Sequence, residues 1–348
     1  MNILVTGGAG YIGSHTCVEL LQAGYSVIVL DNLSNSKYEA IARVEKITGQ
    51  SLTFYEGDLL DEALLQSIFS EQSIDAVIHF AGSKAVGESV EKPLAYYQNN
   101  VASTVLLCQV MARFNVFKLV FSSSATVYGH QEVMPITEEA SLQATNPYGR
   151  TKLMIEEIFR DVGNAEKRWS VALLRYFNPV GAHESGMIGE DPNGIPNNLV
   201  PYISQVAIGK LQQLKVFGGD YATKDGTGVR DYIHVTDLAR GHLKALSYIR
   251  DHEGVEAFNL GAGVGYSVLE MVQAFERAAD TSLAYEIVPR RAGDIEVCYA
   301  DVQKAKQHLD WQAVHTLDDM CRDTWKWQSQ NPNGYEEKPK QNKAFQTQ

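Results

Sequence analysis

Apolar positions in the first half of the chain follow two alternating rhythms. Short runs rich in β-branched and aromatic residues occur at Asn2–Thr6, Ser26–Leu30, Ser51–Tyr55, Asp75–Phe80, Lys118–Ser122 and Ser170–Arg175. Between most of them, apolar residues recur three and four apart, at Tyr11–Ala23, Asp61–Ser70, Pro93–Phe114 and Pro147–Gly163. Strand–helix alternation predicts an α/β fold with a doubly wound parallel sheet and right-handed crossovers. Val27-Ile28-Val29-Leu30 is continuously apolar, the pattern of a strand covered on both faces. The Pro93–Phe114 helix is apolar on more than one side (Val101, Val105, Cys108; Leu106, Val110, Met111), so one face packs on the sheet and another needs cover.

The second half is less regular. Residues 177–200 are dense in Gly, Pro and Asn, and a loop this long inside a compact domain is usually functional. Beyond it the pattern predicts a helix near Asn197–Ile208, a strand near Leu214–Phe217 and a helix opening at Thr236. Ser267-Val268-Leu269-Glu270 reads as a capping box before another helix. From about Glu336 the chain is polar and rich in Lys and Gln, a frayed tail. No internal repeat is present.

Charge narrows the function classes. A net charge of −12 argues against nucleic acid or an anionic membrane as partner, and requires local cations for any anionic ligand. Cys17, Cys108, Cys298 and Cys321 show no metal-binding spacing and read as free thiols of a reducing compartment. The first strand starts directly after Met1, and no run of eighteen apolar residues occurs. The expectation is a cytoplasmic soluble protein that holds no metal.

Gly7-Gly8-Ala9-Gly10-Tyr11-Ile12-Gly13 sits between the first strand and the first helix and contains G-x-G-x-x-G at Gly8, Gly10 and Gly13. Glycines there permit a tight turn and close approach of backbone to a pyrophosphate at the helix N-terminus. Asp31 ends the second strand, where its carboxylate can hold a ribose 2′-hydroxyl and repel a 2′-phosphate, so NAD is favoured over NADP. Asp58 follows the third strand and reads as an adenine contact. Phe80-Ala81-Gly82 leaves the fourth strand, with Lys84 close by, and Ser122-Ser123-Ser124 ends the fifth. Tyr148 and Lys152 form a Y-x-x-x-K one helical turn apart, with Pro147 at the first helical position. A phenol ionises near pH ~10; a neighbouring ammonium favours the phenolate and makes it a general base. Bringing it to neutrality takes about 4 kcal/mol, so a second cation is expected, and an oxidised nicotinamide would provide it.

These motifs resemble the extended short-chain dehydrogenase/reductase family, whose fold is a Rossmann domain with a smaller mixed α/β substrate domain. HFAGSKAVGESV from His79, FSSSATVYG from Phe121, LLRYFNPVGAH from Leu173, GIPNNLVPY from Gly194, DGTGVRDYIHV from Asp225 and NLGAGVGYSVLE from Asn259 carry the likeness further. Over about residues 1–335 they resemble the UDP-glucose 4-epimerase family. The resemblance implies an NAD-binding domain over residues 1–176 and a UDP-sugar domain over 177–335, with the chain crossing back around 231–262 and a tail at 336–348. It implies Ser124, Tyr148 and Lys152 as the catalytic set. NAD contacts fall on Gly7, Gly10, Tyr11, Ile12, Gly13, Asp31, Asn32, Asn35, Ser36, Asp58, Leu59, Phe80, Ala81, Gly82, Lys84, Asn99 and Phe177. UDP-sugar contacts fall on Asn178, Asn198, Leu199, Phe217, Arg230, Tyr232, Arg291, Asp294 and Cys298, beside Ser124 and Tyr148. The implied reaction is the reversible interconversion of UDP-galactose and UDP-glucose through a 4-keto sugar, with NAD retained.

The family resemblance also implies a homodimer, formed by pairing the Pro93–Phe114 and Tyr148 helices across a twofold. Nucleotide-sugar 4,6-dehydratases carry an Asp-Glu pair just before V-Y-G; Ala125 and Thr126 stand there, so dehydration is not expected. Cys298, a small side chain on the implied pocket wall, leaves room for a 2-acetamido group. Two readings remain beside this one: an epimerase of UDP-uronates, and a non-catalytic nucleotide-sensing protein, which would not need the Ser-Tyr-Lys set.

Overall fold

The computed structural model describes residues 1–291 and 294–335, so the tail expected from Glu336 lies outside the described residues. Six strands fall close to the apolar runs: β1 (Asn2–Thr6), β2 (Ser26–Asp31), β3 (Thr53–Glu56), β4 (Ala76–His79), β5 (Lys118–Ser122) and β6 (Ser170–Tyr176). With Gly254–Leu260 they make a seven-stranded sheet in the order Gly254–Leu260, β6, β5, β4, β1, β2, β3. Every pairing in it is parallel. The order reverses at β1, which lies between β2 and β4, so a crevice opens beyond the carboxyl ends of β1 and β4, where open α/β sheets bind ligands.

Among the elements the apolar pattern did not show, two border the large sheet. Helix Tyr38–Thr48 follows the turn-forming stretch Asn32–Ser36 and buries only Ala40, Ile41 and Val44. The Gly254–Leu260 strand pairs on one side alone and mixes Glu256 and Asn259 among its apolar residues. The Pro93–Phe114 helix is also not uniform. It runs as α-helix over Pro93–Tyr96, as π-helix over Tyr97–Ala102 and as α-helix again over Ser103–Arg113. The wider turn brings in buried Asn100, whose side chain donates to the Ser83 carbonyl and Thr151 hydroxyl, both at 3.0 Å, and accepts from the Ser83 N–H at 2.8 Å. π-Turns of this kind recur at functional sites, and this one pins the loop after β4 to the Pro147–Ala165 helix.

The Val235–Asp251 helix returns to the large sheet. Leu238, Ala245, Leu246 and Ile249 share a core with Ile3, Val5, Cys17 and Leu20. A smaller core contains Ile203, Tyr232, Met271, Phe275 and Met320, enclosed by the helices Leu199–Ala207, Val268–Ala279 and Leu317–Gln330. The capping box at Ser267 and Glu270 is formed. Val229–His234 pairs with Asn178–Val180, Gly265–Ser267 and Val297–Cys298, while Leu214–Phe217 pairs with Tyr285–Val288. Among the described residues no helix is long and apolar enough to cross a membrane.

Candidate active site

The glycine loop lies at the point where the strand order reverses. Gly7 has a φ of +71°, and a Cβ there would come within 2.7 Å of the Ala81 nitrogen. Only glycine lets this turn touch Phe80-Ala81-Gly82 as that segment leaves β4. A Cβ at Gly13 would overlap the Gly7 carbonyl, so the helix that starts at Tyr11 is held tightly under the loop. Asp31 is buried: Oδ2 accepts from the Ala9 N–H at 3.0 Å, and Oδ1 accepts from the Leu33 N–H at 2.9 Å and the Ser36 hydroxyl at 2.8 Å. Asn32 donates to Asp58 Oδ2 at 2.7 Å, and Asp58 Oδ1 also accepts from the Leu60 N–H at 2.8 Å, so Asp58 shapes its own turn. Asp31, Asn32, Ser36, Asp58 and buried Leu59 thus gather beyond β2 and β3.

Residues 181–193 reach across to this edge. Tyr11 donates to the Gly181 carbonyl at 2.6 Å, Lys84 pairs with Glu190 at 3.3 Å, and Asn193 donates to Asn35 Oδ1 at 3.2 Å. Asn99, in the π-turn, donates to the Ser83 hydroxyl at 3.0 Å. Phe177 is an exception to an open contact surface: its ring is buried with Val127, Tyr128, Ile136 and Ala300.

Ser124, Tyr148 and Lys152 converge just past β5, all three buried. Asn146 caps the Tyr148 helix by accepting from the Gly149 N–H at 2.8 Å, and Pro147 takes the first helical position as its sequence suggests. Lys152 Nζ donates to the Ser122 carbonyl at 2.7 Å and lies 6.0 Å from the centre of the Tyr148 ring. Burial pulls the Lys152 ammonium down to about 8. The Y-x-x-x-K spacing predicts a phenol favoured as phenolate by this ammonium. Instead burial pushes the Tyr148 phenol above its ordinary value, and the Ser124 hydroxyl beside it pulls it back. Burial sets the direction here, which leaves the need for a further cation beside the phenol.

Sequence reading missed the support beneath this corner. Glu156, fully buried, pairs with buried Arg175 at 2.6 Å and accepts from the Ser123 hydroxyl at 2.6 Å. Arg175 also donates to the Tyr128 hydroxyl at 3.1 Å, and Tyr128 donates to Asn259 Oδ1 at 2.6 Å. Such a pair persists in a dry interior only with every donor and acceptor engaged. The available signal was position: Glu156 is one turn beyond Lys152 on the same helix face.

The residues that the resemblance assigns to the sugar nucleotide lie in the second half of the chain. Arg230 lies in the Val229–His234 strand directly beside Cys298, and Tyr232 beside Asn178. Arg291 covers the Phe217 ring at 4.6 Å and pairs with Asp294 at 3.0 Å. Asn198 precedes the Leu199–Ala207 helix and donates to Glu190 at 3.3 Å. Burial pushes the Cys298 thiol up to about 11, so it is not poised as a nucleophile. Among the described residues no group of three His, Cys, Asp or Glu side chains is placed to hold a metal.

The family model GDP-mannose 4,6 dehydratase matches residues 4–324. The chain is 64% identical over 335 residues to the UDP-glucose 4-epimerase of Bacillus subtilis, covering 96% of this chain and 99% of that protein. It is 62% identical over 336 residues to the UDP-glucose 4-epimerase of Haemophilus influenzae, covering 96% and 99%. The crystal structure of UDP-glucose 4-epimerase from Bifidobacterium longum in complex with NAD+ and UDP superposes with a TM-score of 0.93 at 56% identity, covering 96% of this chain and all of that one.

Proposed function

The chain belongs to the UDP-glucose 4-epimerase family, and on that footing we propose that it interconverts UDP-galactose and UDP-glucose with NAD as a retained prosthetic group. The observation that carries this is the convergence of buried Ser124, Tyr148 and Lys152 beside a glycine loop whose contact with Ala81 excludes any side chain. That loop, with Asp31, Asn32, Asn35, Ser36, Asp58, Leu59, Lys84 and Asn99, fits a dinucleotide, and Gly7, Gly10 and Gly13 supply the cradle. NAD held there would supply the reversible acceptor for the hydride at C4 of the sugar.

The chain's own residues do the rest. Tyr148 accepts the proton of the 4-hydroxyl and returns it, while Ser124 hydrogen-bonds the same oxygen. Lys152, held by the Ser122 carbonyl, keeps a positive charge one turn from Tyr148. Arg230 and Arg291, with Asn178, Asn198, Leu199, Phe217, Tyr232 and Asp294, grip UDP; guanidinium forks match a pyrophosphate that an acidic protein would otherwise repel. A firm hold on UDP and a loose one on the hexose lets the 4-keto sugar turn and present its other face. In this reading the first 176 residues carry the cofactor and residues 177–335 carry most of the UDP contacts. Ala125 and Thr126 offer no acid for elimination of water, which separates the chain from dehydratases within the matched family.

Two finer readings follow. Cys298, small and beside Arg230, supports turnover of UDP-GalNAc and UDP-GlcNAc as well. Exposed Val86, Val90, Leu94 and Met154 lie on three helices that touch one another, which supports a homodimer built there; sedimentation as a monomer at micromolar concentration would contradict it. The free cysteines suit the reducing cytoplasm, where we place the protein. The test mixes purified protein with UDP-galactose or UDP-GalNAc, adds no cofactor, and follows the anomeric protons by NMR. Both substrates are expected to convert to their 4-epimers. Conversion of neither, with NAD supplied, rejects the epimerase reading for these sugars; conversion of UDP-galactose alone rejects only the N-acetyl reading.

A further inference from the structure

Thr126 is the middle residue of the short turn Ala125–Val127 that follows Ser124, and it makes two contacts to Ser124. Its N–H donates to Ser124 Oγ at 3.2 Å, and its hydroxyl donates to the same oxygen at 3.0 Å. A serine hydroxyl has two acceptor sites and one hydrogen. With both acceptor sites taken, the Ser124 hydrogen is left to point away from Thr126. We propose that Thr126 is a positioning residue that fixes the Ser124 hydroxyl as a hydrogen-bond donor toward Tyr148, meeting its phenol in the free enzyme and the reacting sugar oxygen once substrate is bound. The proposal rests on the epimerase reading above.

Three further observations support this assignment. Ser124 acts on Tyr148 in the direction expected of such a donor, opposing the effect of burial. Thr126 is itself clamped: a Cβ on Gly149, the residue after Tyr148, would lie 2.9 Å from the Thr126 carbonyl and 3.2 Å from its hydroxyl oxygen. One residue therefore touches both Ser124 and the helical turn that carries Tyr148. The chemistry of the side chain also matters. A carboxylate at this position could only accept a hydrogen bond, so it would draw the Ser124 hydrogen to itself and away from Tyr148. A β-branched hydroxyl has a restricted χ1 and can donate.

The experiment compares wild type, Thr126→Val, Thr126→Ser, Ser124→Ala and the Ser124→Ala/Thr126→Val double variant on UDP-galactose. Thr126→Val is expected to lower kcat about tenfold, as loss of one oriented hydrogen bond does, with KM within about twofold of wild type. Thr126→Ser is expected to recover most of that loss. In the Ser124→Ala background the valine should cost nothing more, because Thr126 acts through Ser124. Melting temperature and bound NAD are expected to match wild type throughout; should the valine unfold the turn, Thr126→Ala replaces it in the same cycle. Wild-type kcat in Thr126→Val, or an equal loss with and without Ser124, would overturn the assignment. An inactive wild type rejects the epimerase reading instead, so the two failures are distinct.

Discussion

Ser124, Tyr148 and Lys152 are buried side chains on the end of a sheet and the first turns of a capped helix, each braced by a hydrogen bond or packing contact from a neighbouring element. Arg291 is about half exposed, held by Asp294 three residues away and by the Phe217 ring, and Arg230 donates to the backbone carbonyls of Val229 and Glu296. The two regions face opposite demands. Proton transfer needs donor and acceptor fixed within a fraction of an ångström. Holding a diphosphate needs charge, which acts over a longer reach and tolerates movement. A molecule that must hold UDP while its hexose turns over gains from rigidity in the first region and latitude in the second.

The sharpest way to break the contrast is at Tyr148. Removing its hydroxyl in Tyr148→Phe is expected to lower kcat by ~100-fold or more, with folding and NAD content kept. Absorbance of bound cofactor and UDP-galactose turnover measure both, and near-normal turnover would reject Tyr148 as the base. A smaller effect of another kind is expected at Arg291. Arg291→Ala should weaken UDP binding by about 2 kcal/mol, seen by calorimetry as roughly a thirtyfold rise in Kd, with a modest change in kcat. A fall in kcat with unchanged Kd would place Arg291 in the reacting corner and erase the distinction.

Acid sharpens the comparison through the scaffold of the rigid side. His15, His79 and His242 are buried in the core around the large sheet, and burial pulls them down to about 3, 3 and 4. His79 is bound on both sides, to the Thr6 hydroxyl at 2.7 Å and the Thr104 hydroxyl at 2.9 Å. For groups whose folded pKa is depressed, the stabilisation is complete above the unfolded value near ~6.5 and is lost as pH falls through the folded values. The melting temperature of the cofactor-free protein is therefore expected to fall as pH drops from about 6.5 toward 4. His79→Asn should make that fall shallower; an unchanged acid limb would show that His79 is not part of it.

Legibility divides along the same line. β1–β6 and the helix of Tyr148 could be read because both sheet faces are covered and the signals are local: Pro147 and the glycines act within a few residues. The Gly254–Leu260 strand could not, because its membership in the sheet depends on pairing with β6 some eighty residues earlier. Glu156 and Arg175 look like ordinary helix and strand charges until the fold buries them together. The phenol of Tyr148 shows the limit of a motif: spacing gives the neighbour, but burial, which only the fold supplies, decides the sign. Arg230 and Arg291 were legible as UDP contacts only through family resemblance, since each alone is an unremarkable arginine.

The most direct measurement uses UDP-galactose deuterated at C4, incubated with the protein without added cofactor, and reads the product by NMR. If the hydrogen leaving C4 is held in the closed site and returned to the other face of a turned sugar, UDP-glucose will carry deuterium at C4. Product with solvent hydrogen at C4 would contradict the account, because the bond broken at C4 would then not be the one remade.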